Sequence, residues 1–309
     1  MNSTGNDIVA LAAIDKLRTR QYRFYSKILS DAERTLFDGL QPAGMPFENF
    51  VWLLWSIKES IYKYLKRTQP GLVFSPTRTG IRTITAPERC FGEGSPLQWE
   101  SRVAGCGKDA YRGIAFFESH IFYFRSRIHP DCIATVVGKE ENFENTWWGV
   151  RSIGHPDAAS QSAAVRTLAL NQLKAVLSAG RLPAETSRPD MAAGAGVGFV
   201  AETMLHPDAM SRPEPMSRPD TMPGPDAIFR SGAMSVSNTW QIRKSPLGYP
   251  LVFQGEEEMT IPLSLAHHAN FIAYSFHLDP HLQQANLAIG QTEPGVRPYF
   301  SREGRSVIS

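Results

Sequence analysis

The sequence has few cysteines, no long apolar run and no marked excess of charge of one sign. Its 309 residues include three cysteines, Cys90, Cys106 and Cys132, which lie far apart and form no CxxC or CxxH pair. This spacing argues against a disulfide framework and a structural zinc site, and indicates reduced thiols. No secretory signal pattern opens the chain, and its apolar runs are far shorter than a membrane span. We therefore expect a cytoplasmic, soluble protein without a membrane partner.

The balance of charge argues against a protein devoted to nucleic acid. Lysine and arginine total 32 against 30 acidic residues, so the formal net charge is +2. Nucleic-acid-binding domains usually carry a large basic excess, because they neutralise phosphates. Any basic function must therefore be local. At 42% hydrophobic residues the composition is that of a globular protein, and the length suggests about two domains.

The hydrophobic pattern predicts an α+β fold. Helical spacing recurs over residues 12–27, 47–67 and 163–177, and Ser30 followed by Glu33 predicts a capping box that opens a further helix. The segments 114–128, 132–137, 146–153 and 261–276 are rich in β-forming residues, and 240–253 predicts a hairpin with its turn at 246–248. Residues 183–230 hold eight of the 22 prolines and few large apolar residues, which indicates a flexible insert.

A stripe of basic residues follows the first predicted helix. Its members Lys16, Arg20, Arg23 and Lys27 recur at helical spacing, and no acid lies between Lys16 and Ser30. On an arbitrary protein such a stripe is most often a solvated helix face. Its alternative interpretation is a surface that binds an acidic partner.

Two short motifs carry the chemistry. GNDIV at residues 5–9 is followed by WSIKESIYK at residues 55–63. Taken alone, Glu59 and Lys63 are a favoured i,i+4 pair of any solvated helix, and Asp7 is an ordinary turn or cap residue. Together, and with an intervening segment around Arg23 and Glu33, they resemble the 4′-phosphopantetheinyl transferases, whose signatures are GxD(I/V) and WxxKExxxK.

The resemblance extends to the C-terminal part of the chain. LGYP at residues 247–250 and PLSLAHHANFIA at 262–273 are similar to the family's LGKP turn and SHS-containing strand. In the surfactin-synthetase-activating type these elements precede the GxD motif. Here they follow it, and the motif order is that of the holo-acyl-carrier-protein synthases.

The resemblance implies a transferase-like fold of two α+β halves related by a pseudo-twofold axis. The expected N-terminal half is 1–110, and the expected C-terminal half combines 111–182 with 236–279. A disordered Pro-rich insert at 183–235 and a loose tail at 280–309 complete the expected organisation.

The family likeness also implies an activity, the transfer of 4′-phosphopantetheine from coenzyme A to a serine of an apo acyl or peptidyl carrier protein. Cleavage at a diphosphate requires neutralisation of phosphate charge, for which Mg²⁺ with oxygen ligands is suited. The implied metal ligands are Asp7 and Glu59. Glu59 is the candidate general base, Lys63 the phosphate contact, and Asp7, Glu59 and Lys63 together are the expected catalytic residues.

The remaining expected contacts involve coenzyme A and the carrier protein. Lys58 has a supporting role toward coenzyme A beside Lys63, because it points about 100° away from Glu59 around the helix. His267 and His268 are the candidate contacts of the 3′-phosphate. The implied carrier-docking residues are those of the basic stripe: Lys16, Arg20, Arg23 and Lys27.

Four positions depart from the family pattern. Val9 stands where many longer members have a second acid, so water would have to replace one metal ligand. Tyr249 replaces the lysine of the turn, and Ala266 and His268 replace the serines that flank the family's histidine. These departures keep open an alternative, a carrier-binding or scaffold protein that turns over weakly or not at all. A nucleic-acid-binding module that uses the basic stripe is a third reading.

Overall fold

The computed structural model describes residues 3–41, 44–88, 97–154, 157–179 and 239–280, which form a mixed α/β structure. The predicted insert at 183–235 and the predicted tail from residue 281 onward lie outside the described residues. The helices are α1 (Lys16–Thr19), α2 (Tyr22–Tyr25), α3 (Asp31–Leu40), α4 (Phe47–Lys66) and α5 (Ala158–Ala179). The strands are β1 (Gly5–Ala10), β2 (Thr79–Thr85), β3 (Trp99–Arg102), β4 (Tyr111–Phe117), β5 (His120–Ile128), β6 (Cys132–Gly138), β7 (Thr146–Ser152), β8 (Trp240–Lys244), β9 (Pro250–Gln254), β10 (Glu257–Met259), β11 (Leu263–His268) and β12 (Phe271–His277).

The first sheet has the strand order β1-β6-β5-β4-β2, and every neighbouring pair is antiparallel. Helix α4 packs across β1 and β6 on one face of this sheet. The helix predicted over 47–67 is confirmed, and Leu54, Ile57, Ile61 and Leu65 are all buried in the core beneath it. This packing brings the helix that contains Glu59 onto the strand that contains Asp7.

The second sheet has the order β11-β12-β7-β3 and carries the other long helix, α5. Helix α5 was predicted over 163–177, and its buried residues, among them Val165 and Leu173, form a core with β12. A third sheet, β10-β9-β8, contains the predicted hairpin. Gly248 lies in the hairpin turn at a φ of 94°, a conformation that favours glycine.

The two larger sheets meet where β1 lies beside β11. The two strands are not paired through their main chains. Instead, the backbone N–H of Asn6 donates to Oγ of Ser264 over 3.0 Å, and the backbone N–H of Ala10 donates to Nδ1 of His268 over 3.0 Å. Two backbone N–H groups on the unpaired edge of β1 thus find hydrogen-bond acceptors in side chains of β11.

The sheets do not follow the predicted boundary at residue 110. Strands β4, β5 and β6 lie after this boundary but complete the sheet that begins with β1. Conversely, β3 lies before it and pairs with β7 in the second sheet. Sheet membership depends on which strand edges pair, and this pairing cannot be read from the position of the two motifs. The pairing of β1 with β6 therefore moves residues 111–138 to the N-terminal sheet.

The single helix predicted over 12–27 is wrong. The chain forms two short helices, α1 and α2, separated by Gln21 in an extended conformation. Asp15 caps α1 by accepting from the backbone N–H of Arg18. Thr19 is buried, donates to the carbonyl of Asp15 and accepts from the indole N–H of Trp52, so this segment is fixed to α4. Leu17 on α1 is 78% exposed.

No helix within the described residues is both long enough and apolar enough to cross a membrane. Cys106 and Cys132 are free and buried, and Cys90 lies outside the described residues. Burial, together with the nearby charge of Asp131, raises the pKa of Cys132 to about 12, so this thiol is un-ionised at neutral pH.

Candidate active site

Strand β1 places Asp7 beneath α4. All six residues of this strand are buried. Side chains alternate along a strand, so Asp7 and Val9 face α4 while Ile8 and Ala10 enter the core between the sheets. Gly5 permits this close approach, because a Cβ atom there would collide with the backbone carbonyl of Ser60. The glycine of the first motif is therefore required by helix packing.

Helix α4 supplies Glu59 and Lys63 from successive turns. The two side chains are half-buried and lie on the same side of the helix, as their i,i+4 spacing requires. Between them the helix turns its apolar side to the core, with Ile57 and Ile61 fully buried. The polar side of α4 is thus held against the buried carboxylate of β1.

The three side chains form one cluster around the ammonium of Lys63. Its Nζ lies 2.8 Å from Oδ1 of Asp7 and 3.4 Å from Oε1 of Glu59. The two carboxylates therefore face a common point at which a cation is already held, although Asp7 and Glu59 are distant in sequence. The structure brings together the three residues that the two motifs predicted as a site.

The cluster perturbs the pKa values of its members. Burial raises the pKa of Glu59, and the nearby charge of Asp7 raises it further against the opposing effect of Lys63. For Lys63, burial lowers the pKa, but the charges of Asp7 and Glu59 together outweigh burial and leave it raised. Lys63 is therefore protonated at neutral pH, and Glu59 holds its proton more tightly than an exposed glutamate.

Asp7 and Glu59 fit a hard divalent cation that keeps several waters. Oδ2 of Asp7 is buried and has no hydrogen-bond partner, so one ligand oxygen is available without breaking a bond. The described residues contain no group of three or more histidine, cysteine or acidic side chains suited to a metal ion. Val9, where a second acid was missing, is buried in the core. A Mg²⁺ ion here would depend on two carboxylates, water and substrate oxygens, a ligand set that Mg²⁺ accepts.

Both histidines of β11 lie near this cluster. His267 is exposed and His268 is half-buried beside β1. Burial lowers the pKa of His267, and the positive charge of Lys63 lowers it further. Burial also lowers the pKa of His268, although the negative charge of Glu59 opposes this. The second sheet therefore contributes two imidazoles to the surroundings of the carboxylates of Asp7 and Glu59.

An open groove of about 280 Å³ continues from Lys63 along the end of α4. Its walls are the last turn of α4, the turn between β8 and β9, and β11. Arg67 stacks on the ring of Tyr249, 5.6 Å from its centroid, and donates to the carbonyl of Pro250. Burial lowers the pKa of Arg67 to about 10, so the guanidinium stays charged at neutral pH.

Sequence reasoning did not assign Arg67 and Tyr249 to the site. One signal was present, because Glu59, Lys63 and Arg67 recur every four residues along one side of a helix. The contact between Arg67 and Tyr249 joins residues far apart in the chain, and only the folded structure reveals it.

Lys58 does not reach this cluster, so its predicted role toward coenzyme A is corrected. The side chain is fully buried on another side of α4, where Nζ lies 2.8 Å from Oε2 of Glu33 and 2.6 Å from the carbonyl oxygen of Ile28. Glu33 also forms the predicted capping box with Ser30 and accepts from the backbone N–H of Ile81. Lys58 thus joins α4 to α3 and β2, and its expected role becomes structural.

The predicted basic stripe is not one helix face, because α1 and α2 are separate. Its four cations are nevertheless all exposed. Arg20 is paired with Glu48 of α4, with Nε 2.6 Å from Oε1, so an acid from outside the stripe neutralises one of them. Lys16, Arg23 and Lys27 have no ion-pair partner in the part of the chain that the structure describes.

One comparison with known proteins supports the resemblance that the two motifs indicated. The family model of the 4′-phosphopantetheinyl transferase superfamily matches residues 3–115 of the chain. No curated protein and no solved structure matches it. The matched segment contains both motifs and therefore Asp7, Glu59 and Lys63. The resemblance drawn from these motifs is confirmed over residues 3–115, the part of the chain that is similar to the 4′-phosphopantetheinyl transferase superfamily.

Proposed function

We propose that the protein transfers 4′-phosphopantetheine from coenzyme A to a serine of an apo acyl or peptidyl carrier protein, releasing 3′,5′-ADP. The family match supports a transferase of this kind. The observation that carries the proposal is the cluster in which Lys63 lies within 3.4 Å of carboxylate oxygens from both Asp7 and Glu59. Two acids and a lysine that meet at one point suit a reaction at a charged diphosphate.

In the proposed reaction the serine oxygen attacks the phosphorus that bears the pantetheine group. A new phosphorus–oxygen bond forms, the bond to the leaving 3′,5′-ADP breaks with its electron pair, and the serine loses a proton. Glu59 is the candidate acceptor of this proton, because its raised pKa brings it closer to the operating pH than that of an ordinary glutamate. Lys63 binds phosphate oxygens as a point charge once it is drawn away from the carboxylates.

Asp7 and Glu59 are the residues that would hold Mg²⁺. When bound, the ion would neutralise charge on the diphosphate and stabilise the phosphate oxygen of the leaving 3′,5′-ADP. The buried Asp7 supplies a carboxylate in a fixed position, with its unpartnered Oδ2 available. Catalysis in this class depends mainly on positioning and charge neutralisation, which a rigid strand and a packed helix provide.

The groove beyond Lys63 is our candidate site for the phosphates and nucleotide of coenzyme A. Lys63 and Arg67 supply positive charge along it, and Tyr249 supplies an aromatic wall. His267 is a further candidate contact, because it is exposed on β11 close to Lys63. The turn between β8 and β9 has Tyr249 where the family has a lysine. In this arrangement Arg67, which stacks on Tyr249, supplies a positive charge at that place.

The carrier protein is proposed to dock on α1, α2 and the nearby Lys27. Exposed positive charge is supplied there by Lys16, Arg23 and Lys27. The charge of Arg20 is partly neutralised by its ion pair with Glu48. Leu17 and Tyr22 are 78% and 63% exposed on the same segment. Cations around exposed apolar side chains suit a partner surface that is acidic with an apolar centre.

Both halves of the proposed transferase come from one chain. Each of the two larger sheets carries one long helix, and the sheets meet at β1 and β11 beside the carboxylates. This arrangement supports the proposal of two α+β halves related by a pseudo-twofold axis. We also propose that the reaction takes place in the cytoplasm.

A carrier-binding protein without turnover is the second candidate, favoured by the apolar Val9 beside the carboxylates. Mass spectrometry separates the two. Purified protein, coenzyme A, Mg²⁺ and an apo carrier should give a carrier heavier by about 340 Da, the mass of a phosphopantetheine group added by phosphoryl transfer. Retained carrier binding with no mass gain on several carriers would favour the scaffold.

A further inference from the structure

The edge of β1 beside Asp7 is held by two side chains from the other sheet. The backbone N–H of Asn6 donates to Ser264 and that of Ala10 to Nδ1 of His268, each over 3.0 Å. Asp7 lies between these two points. No backbone hydrogen bonds pair β1 with β11, so the two acceptors substitute for a strand ladder on this side.

The contact with Ala10 fixes the tautomer of His268. A backbone N–H can only donate, so Nδ1 must be the acceptor and carries no proton. The neutral ring therefore has its proton on Nε2. The environment agrees with a neutral ring, since burial lowers the pKa of His268 more than the charge of Glu59 raises it.

We infer that His268 is a positioning residue that, as the Nε2–H tautomer, holds Ala10 and thereby keeps Asp7 in place for the reaction. The inference rests on the proposed function. Asp7 must keep Oδ1 within 2.8 Å of Lys63 and face Glu59, and it does so from a strand that has main-chain pairing on one side only. A displacement of about 1 Å in such a site costs on the order of 100-fold in rate.

This role differs from that of a cationic phosphate ligand. Because Nδ1 of His268 accepts a hydrogen bond from Ala10, the ring can offer a phosphate only one neutral donor, the N–H at Nε2. His267 precedes His268 on β11 and is exposed, and among the described residues no backbone N–H donates to its ring. The two adjacent histidines are thus assigned different roles.

Asparagine and glutamine substitutions distinguish the two ring nitrogens. The side-chain oxygen of asparagine is bonded to Cγ, as Nδ1 is, whereas that of glutamine lies one bond further out. His268→Asn should therefore keep an acceptor for Ala10, and His268→Gln and His268→Ala should lose it. Amide hydrogen exchange at Ala10 is the direct readout. We expect exchange about tenfold faster or more in the glutamine and alanine variants, and little change in His268→Asn.

Kinetics and NMR complete the test. The ring ¹⁵N shifts of the wild type should show the proton on Nε2. His268→Gln should lower kcat by about tenfold to 100-fold with a smaller change in KM for coenzyme A, and His268→Asn should restore most of kcat. Thermal melts identify variants that fail to fold, and the pair His120→Asn and His120→Gln, on the distant β5, should behave alike.

The inference is overturned if the ring proton is found on Nδ1. It is also overturned if exchange at Ala10 is the same in wild type and His268→Ala, or if asparagine and glutamine variants are equally impaired. Absence of transfer by the wild type would count against the proposed function alone, because the tautomer and Ala10 exchange are measured without turnover.

Discussion

The ammonium of Lys63 lies 2.8 Å from Oδ1 of Asp7, a residue 56 positions earlier in the chain. This contact places the second motif of the sequence directly over the first. It turns the i,i+4 pair of Glu59 and Lys63, a common feature of solvated helices, into a three-residue cluster with a buried carboxylate.

Replacing Glu59 by glutamine should abolish transfer without reducing stability. The folded environment raises the pKa of Glu59, so its contribution to stability is present at low pH and is lost as pH rises through that raised value. In the metal-free protein at neutral pH, Glu59→Gln should therefore melt at the same temperature as the wild type or higher. Thermal melts in chelator test this.

Addition of Mg²⁺ supplies the second half of that experiment. A ligand that binds only the folded protein raises its melting temperature. The wild type should gain stability from millimolar Mg²⁺, and Glu59→Gln should gain little. Undiminished transfer by Glu59→Gln would remove this residue from the mechanism, and equal Mg²⁺ stabilisation of both proteins would remove it from the metal site.

Replacing Lys58 by methionine should destabilise the fold strongly. Lys58 and Glu33 form a fully buried ion pair, and removing one partner of such a pair costs about 3–5 kcal/mol. Denaturant unfolding should show this loss. The control is Arg78→Gln, which breaks the exposed pair with Glu118 and should cost about 1 kcal/mol or less. A small effect of Lys58→Met would contradict its structural role.

Adding one methyl group at Gly5 should separate β1 from α4. A Cβ atom there meets the backbone of Ser60, which cannot move without shifting the helix, so Gly5→Ala should cost about 1–3 kcal/mol and most of the activity. Gly39→Ala in α3 is the control, because nothing lies near its added Cβ and the change should be neutral or stabilising by about 0.5–1 kcal/mol. Melting temperature and transfer rate are the two measurements.

Reversing the charge of Arg23 should weaken carrier binding. Arg23→Glu places a negative charge on the proposed docking surface, so KM for an acidic carrier should rise several-fold while transfer at saturating carrier is retained. Arg82→Glu, the same change on an exposed site of β2, should have little effect. Equal effects of both substitutions would indicate only a change in net charge, and would count against a docking surface on α1 and α2.

Replacing Arg67 by glutamine should reduce the affinity for coenzyme A. Arg67 supplies positive charge to the groove, and hydrogen bonds to a charged group contribute about 1.5–3 kcal/mol, so calorimetry should show roughly a tenfold or greater loss. Arg243→Gln is a matched control, because Arg243 also stacks on an aromatic ring, that of Phe253, but does not line the groove. Unchanged affinity in Arg67→Gln would exclude the groove as the coenzyme A site.

Much of the secondary structure could be predicted from local pattern, with one instructive error. The period of α4 and the turn at Gly248 depend on neighbours in sequence, and both were predicted. The failure at residues 12–27 has a tertiary cause. Thr19 accepts a hydrogen bond from Trp52 of α4. This contact holds the segment against α4 as two short helices, although its sequence has the periodicity of one long helix.

The amino-acid sequence by itself determined the residue types of the site and their order. Both motifs have fixed internal spacing, so they can be recognised without knowledge of the tertiary structure. It placed Glu59 and Lys63 on one side of a helix, since helical geometry is local. Only the tertiary structure decided that Asp7 meets Lys63, that Lys58 turns away to Glu33, and that His268 and Arg67 join from afar. These contacts depend on which sheet edges and helix faces pack together, and packing is settled by the burial of the whole core.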